Sequence, residues 1–315
     1  MTTQLLDKQL IFVTGKGGVG KTSVAAALAY LGAGTGKRTL VCEMDDKGAL
    51  AAALDVATLE FTPRLVQEHL EAMAMDTEHA LREYLKLFVR VPLVGHLGPL
   101  ARTFDFVADA APGVKEILGV GKLAYEVREQ HYDLVVVDAE ASGHIVSQVA
   151  APRVIGELIQ VGMVRQQTRW MLDILEDPER TGVVVVTTPE EMPVVETIEL
   201  LDRFAADTQI EPAAIVANRV LPALFDRKES AVVASLGAVE QLLVDAVGPG
   251  VSDVVLAAQL TEARRAVGSR HLERLRAAVP AGLPILYVPE LFTRATGRRV
   301  VALVADALGE ELDVA

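Results

Sequence analysis

Short runs of consecutive apolar residues, not alternating ones, punctuate the chain at 10–14, 39–42, 134–137, 183–187, 214–217 and 285–288. They are rich in β-branched residues and bounded by polar or turn residues, the pattern of strands covered on both faces in a parallel sheet. Between them the period changes. Over 77–91, Leu81, Tyr84, Leu85 and Phe88 recur at helical spacing behind Thr77 as cap, which predicts an amphipathic helix facing a core. Residues 151–176 carry Ile155, Leu158, Ile159, Val161, Met163, Val164, Trp170, Met171, Ile174 and Leu175 and also predict helix, apolar enough for a core or, in part, a client-facing surface. The stretch 230–278 suits helix except at Gly248-Pro249-Gly250. Over 71–76 the residues alternate as in a short strand, where Met73 and Met75 suit core packing or a recognition groove.

No repeat or low-complexity linker divides the chain. The expected fold is α/β, a mostly parallel sheet flanked by helices with inserted helical material. The most economical division is a single discontinuous domain over 1–315, with a core at approximately 8–50, 131–150, 180–220 and 283–315 and helical insertions at approximately 51–130, 151–179 and 221–282.

The run at 10–14 gives way to Gly15-Lys16-Gly17-Gly18-Val19-Gly20-Lys21-Thr22, and Ser23 opens an Ala-rich helical stretch. A glycine, four residues and Gly-Lys-Thr between a strand and a helix form a phosphate-binding loop, whose backbone N–H groups and helix N-terminus converge on an anion. ATP contacts are expected from Gly15 through Ser23, with Lys21 neutralising the β- and γ-phosphates and the Thr22 hydroxyl on Mg2+. Asp138 ends the apolar strand that follows Tyr132-Asp133 and is the second candidate for the metal shell. Asp45, in Glu43-Met44-Asp45-Asp46-Lys47 after the second strand, could orient a hydrolytic water or be a plain loop aspartate that caps a helix.

An ordinary phosphate loop does not need Lys16. GKGGVGKT resembles the deviant Walker A sequence of the MinD, ParA, nitrogenase-iron-protein and ArsA group, and 139–144, Ala-Glu-Ala-Ser-Gly-His, is similar to the second switch of the ArsA and tail-anchored-protein-targeting ATPases. That resemblance implies a P-loop NTPase that hydrolyses ATP and couples its nucleotide state to a protein client or partner. It gives Lys16 a catalytic role across a dimer interface, Asp45 the first-switch aspartate, Asn218 a contact to adenine and Glu190 a contact to nucleotide. His144 is expected to be structural, since no acid partner is apparent. Asp46 and Lys47 replace the family's usual Pro-Ala, and Glu140 and Ser142 also depart from its pattern. The departures leave two readings: a homodimeric ATPase, or a weakly hydrolysing regulatory subunit paired with a paralogous ATPase.

Charge and cysteine count exclude several relatives. With 43 acidic against 30 basic residues, a net charge of −13 opposes binding to nucleic acid or to anionic lipid. No uninterrupted apolar run approaches the roughly 20 residues of a membrane span, so a cytoplasmic protein without signal peptide or integral membrane segment is expected. The single cysteine, Cys42, cannot supply the paired thiolates of an iron–sulfur cluster or a structural zinc site, so neither is expected.

Overall fold

The computed structural model describes residues 5–45, 47–89, 114–158 and 161–314. Asp46, Ile159 and residues 90–91, and the side chains of Phe88, Met163 and Val164, lie outside what is described. Among the described residues the strands are β1 (Leu10–Gly15), β2 (Thr39–Glu43), β3 (Arg64–Gln67), β4 (Leu70–Ala74), β5 (Leu134–Asp138), β6 (Thr181–Thr187), β7 (Pro212–Val220) and β8 (Ile285–Pro289). They form one eight-stranded sheet in the order β3-β4-β2-β5-β1-β6-β7-β8. Every neighbouring pair is parallel except β3 and β4.

Continuous apolar strands are what this arrangement demands, because successive side chains serve two cores. Ile11 and Val13 of β1 pack with α1 (Lys21–Gly34) and α11 (Arg298–Glu311) on one face. Leu10 and Phe12 point to the other, where α4 (Val114–Arg128), α6 (Gly162–Leu175) and α7 (Glu191–Asp207) cover the sheet. Phe12 is only 1% exposed, so truncating it to alanine costs about 3–5 kcal/mol.

Several expectations change in detail. Strands β3 and β4 both fall within 51–130, expected as a helical insertion; the described helices there include α3 (Thr77–Tyr84) and α4, while α2 (Ala49–Ala53) begins just before it. Asp76, not Thr77, caps α3: its Oδ1 accepts from the His79 amide at 2.7 Å. A carboxylate in the extended residue before the first turn is the better acceptor for an orphan N–H. Met73 and Met75 are buried, which removes them from any recognition groove.

The region 151–176 is two helices, α5 (Ser142–Leu158) and α6, with Gly162 at φ 78° opening the second. Met171 and Ile174 are buried, and half-buried Trp170 lies under the Arg128 guanidinium at 4.9 Å. Met171 and Ile174 are therefore core, not client surface. Among the described residues here, the exposed large apolar side chains are Val154, Leu158 and Val161.

Beyond β7, a capping box of Asp226 and Glu229 starts α8 (Arg227–Ser235), a 3-10 turn at Leu236–Val239 leads into α9 (Glu240–Val247), and α10 (Val251–Ala278) returns to the sheet. The helical stretch Arg227–Val247 is, by length and composition alone, long and apolar enough to cross a membrane, with a mean hydropathy of 1.5. Glu240 and Asp245, which interrupt its apolar residues, hide this from a search for uninterrupted apolar runs.

Candidate functional site

The phosphate loop joins β1, at the centre of the sheet, to the N-terminus of α1. Gly20 precedes the helix with φ 95°, and a Cβ there would lie 2.4 Å from Asn218 Nδ2. Only glycine combines that backbone with so close a neighbour. No side chain caps α1, so its first amide groups remain available to an anion. The Lys21 ammonium donates to the Lys16 carbonyl at 3.3 Å, and burial lowers its pKa against the opposing pull of Asp138 and Asp45.

Thr22 and Asp138 meet beneath this loop. The Thr22 hydroxyl is bonded to the Asp138 carboxylate, which is buried at the end of β5 and pushed up to about 6, chiefly by burial and despite Thr22 and Lys21. Its Oδ1 is buried without a hydrogen-bond partner. A buried carboxylate oxygen left unpaired beside a hydroxyl and below a polyphosphate cradle is the donor set that Mg2+ takes when phosphate and water complete its shell. The residues fit that ion.

Strand pairing adds a group the sequence reading missed. Glu43 lies directly opposite Asp138 in the β2–β5 register and is buried. Its Oε1 accepts from the Ala49 amide at 2.9 Å and the Leu50 amide at 3.4 Å, holding the start of α2, and its charge helps raise the Asp138 pKa. As the last residue of an apolar strand it carried one faint signal, an acid where the run should have ended.

The other candidates are distributed around this centre. Asp45 is paired with Lys47, whose pKa is raised first by that hydrogen bond. Lys16 makes an ion pair with Glu196 on α7, in its own chain. Asn218 is buried: its Nδ2 donates to the Val19 carbonyl at 2.8 Å, and its Oδ1 accepts from the Arg219 amide at 3.0 Å. The amide thus braces the phosphate loop from β7. Glu190 is exposed in the position before α7, with no capping bond to that helix. Gly15, Gly17, Gly18, Val19 and Ser23 lie in the loop and first helical turn as expected, with Val19 buried. His144 does have an acidic neighbour, Glu140 at 3.8 Å, which also accepts from Gln148 at 2.9 Å.

A phosphate loop set between a central parallel strand and its helix, with a buried acid on the adjacent strand, is an NTPase arrangement. The sequence profile of the anion-transporting ATPases matches residues 8–169 and 157–280. The chain belongs to this family. Among individual members, it is 29% identical to the ATPase BagA of Mycobacterium tuberculosis over 306 residues, covering 92% of this chain and 88% of that protein. It is 23% identical to a putative arsenical pump-driving ATPase of Aquifex aeolicus, across 68% of this chain and 64% of the relative. An ATPase ASNA1 homolog of Cryptosporidium parvum is 27% identical, across 70% and 69%. As a member of the anion-transporting ATPase family, the chain is an ATPase on an α/β P-loop fold.

Proposed function

We propose that this ATPase is a cytoplasmic, nucleotide-driven switch whose ATP state controls pairing with a second subunit and, through it, binding of a protein client or partner. The observation that carries the reading is the division of labour between two lysines. Lys21 sits in its own phosphate cradle against Asp138, while Lys16, one turn of chain away, is held on Glu196 at the surface. A partly exposed ion pair of this kind contributes about 0–1 kcal/mol, so a facing subunit's phosphates can displace Glu196 at little cost. In a closed, water-poor interface the Lys16 ammonium then stabilises charge that develops on the partner's nucleotide.

Within one subunit, Gly15 through Ser23 bind the polyphosphate, with Thr22 and Asp138 holding Mg2+. The metal supplies charge neutralisation of the β- and γ-phosphates when bound. Asp45 aligns the attacking water by accepting its hydrogen bond. Glu190 and Asn218 lie toward the nucleoside, and the whole chain works as one discontinuous domain. Arsenical transport, named for some relatives, is not carried over, because the one cysteine is buried in β2.

The pairing is tested by sedimentation of the wild type and Lys16→Ala with and without a non-hydrolysable ATP analogue, alongside turnover at several protein concentrations. We expect analogue-dependent dimers, specific activity that rises with concentration, and a Lys16→Ala chain that binds nucleotide but turns over poorly. A monomer with concentration-independent turnover, equally active without Lys16, refutes the cross-subunit role. One contact favours a second reading, a regulatory subunit beside a paralogous ATPase: Lys47 occupies the Asp45 carboxylate. A purified chain that binds ATP but does not turn it over alone supports that heterodimer.

A further inference from the structure

The segment that carries Asp45 leaves β2 at Met44 and returns at Ala49, the first residue of α2. Helix α2 has no cap of its own: Gly48 precedes it with φ 71° and brings no side chain to its first amides. Such amides need an acceptor from elsewhere. Glu43 supplies it from the far end of the segment, its Oε1 accepting from the Ala49 amide at 2.9 Å and the Leu50 amide at 3.4 Å. One carboxylate oxygen thus closes the segment into a loop that begins and ends at residue 43.

Glu43 is itself held on every side. It is 2% exposed, its carbonyl accepts at 2.8 Å from the amide of Met75, the residue after β4, and it faces Asp138 in the β2–β5 register. The following amide, that of Met44, donates to the Asp138 carbonyl at 3.0 Å. Both ends of the Asp45 segment are therefore set against the strand that ends in Asp138, one through the backbone of that residue and the other through the Glu43 side chain. Between them, Asp45 is near enough to Asp138 and Lys21 for its charge to act on both.

The helix does not depend on Glu43 to stay in place. Leu50 and Leu54 are buried in the core that α1 shares, and they seat α2 by packing. What packing leaves open is where the first turn begins, and hence the path of the residues before it. Hydrogen bonds to a carboxylate oxygen are directional and stronger than those to a neutral acceptor, so they fix that path.

We infer that Glu43 is the positioning residue for Asp45: its two amide bonds set the path of the segment and with it the placing of the Asp45 carboxylate at the phosphate site. The inference rests on the reading of Asp45 as the group that aligns the attacking water. A residue that acts only through Asp45 alters the geometry of attack and leaves ground-state binding, made by Gly15 through Ser23, as it was. Displacing an aligning group by about 1 Å can cost on the order of a hundredfold in rate.

The test uses the full chain as wild type, Glu43→Ala, Glu43→Gln, Glu43→Asp, Asp45→Asn and the Glu43→Ala, Asp45→Asn pair. Thermal melting checks folding, calorimetry reads Mg-ATP affinity, phosphate release reads kcat, and amide hydrogen exchange reads the nucleotide-free chain. We expect Glu43→Ala to bind Mg-ATP within about threefold of wild type and to lower kcat about tenfold or more. Glutamine keeps the length and an acceptor oxygen and should recover most of the rate. Aspartate withdraws the oxygen by one methylene and should behave as alanine does, which keeps the test in force if alanine does not fold. The double variant should be no slower than Asp45→Asn alone. Exchange at Ala49 and Leu50 should speed up about tenfold in Glu43→Ala and stay near wild type in Glu43→Gln. That readout needs neither metal nor turnover, so it decides the matter in a chain that does not hydrolyse ATP alone. Unchanged exchange overturns the inference. So do a wild-type kcat in folded Glu43→Ala and Glu43→Asp, an equal loss of ATP affinity, or rate losses that multiply in the double variant; in each case a slow Asp45→Asn leaves the Asp45 reading standing. An Asp45→Asn chain as fast as an active wild type overturns that reading, and this inference with it.

Discussion

Asp138→Asn should stabilise the nucleotide-free protein while abolishing its response to Mg-ATP. The carboxylate is 6% exposed and titrates near 6 in the folded chain against an ordinary 3.8. Because the folded pKa is the higher one, the ionised form is disfavoured by folding. The penalty is present in full above pH 6 and fades as pH falls toward 3.8. At about 1.36 kcal/mol per unit, it amounts to roughly 3 kcal/mol at pH 7.5, halving near pH 5. Asparagine keeps the shape and an oxygen for Thr22 but carries no charge, so it removes this penalty. Urea unfolding of the two proteins in EDTA between pH 5 and 8 reads the difference directly. The gap should be largest at pH 7–8 and narrow below 6, whereas added Mg-ATP should raise the midpoint of the wild type alone. An asparagine variant less stable than wild type at pH 7.5, or a gap that does not change with pH, would refute the argument that burial strains this carboxylate.

Three further outcomes follow from the same geometry. Lys21→Ala should lose most Mg-ATP affinity in calorimetry with little change in melting temperature, since it removes a phosphate counter-charge from a loop and breaks only the bond to the Lys16 carbonyl. Asn218→Ala should leave the Val19 carbonyl unpaired in a buried position and cost about 1–3 kcal/mol of stability, read by denaturant unfolding, with a parallel fall in nucleotide affinity as the loop loosens. Asp45→Asn should preserve ATP binding and depress turnover, and Lys47→Ala, which releases Asp45 from its ion pair, should raise turnover in a steady-state phosphate-release assay; equal rates for all three proteins remove Asp45 from the mechanism.

The strands that could be read from the sequence are those whose physics is local. A run such as Leu134 to Val137 must be covered on both sides whatever its neighbours are, so its composition is enough. β3 escaped because it is a short edge strand, with Arg64 and Leu65 exposed, and its apolar content is no guide. The phosphate loop was legible because its spacing and its strand and helix neighbours follow one another along the chain. Glu43 beside Asp138 and Lys16 beside Glu196 were not, since sheet order and helix packing bring together residues that sequence keeps far apart. Residues 151–176 were correctly apolar, yet periodicity could not tell which side of that helical material faced α4 and the sheet and which faced water.

The strand order sets a timetable for synthesis. β1, which launches the phosphate loop, pairs Leu10 with Val135 on one side and with Thr181 on the other. At about 5–20 residues per second, the ribosome takes on the order of 10–35 s to deliver both neighbours after β1 has emerged. Throughout that interval this apolar strand and the Ala-rich helix behind it have no native sheet to join. Parallel pairing cannot be rescued by a local hairpin. The nascent chain of this ATPase is thus a natural customer for holding chaperones, and its yield in expression should depend more on their supply than on the stability of the finished fold.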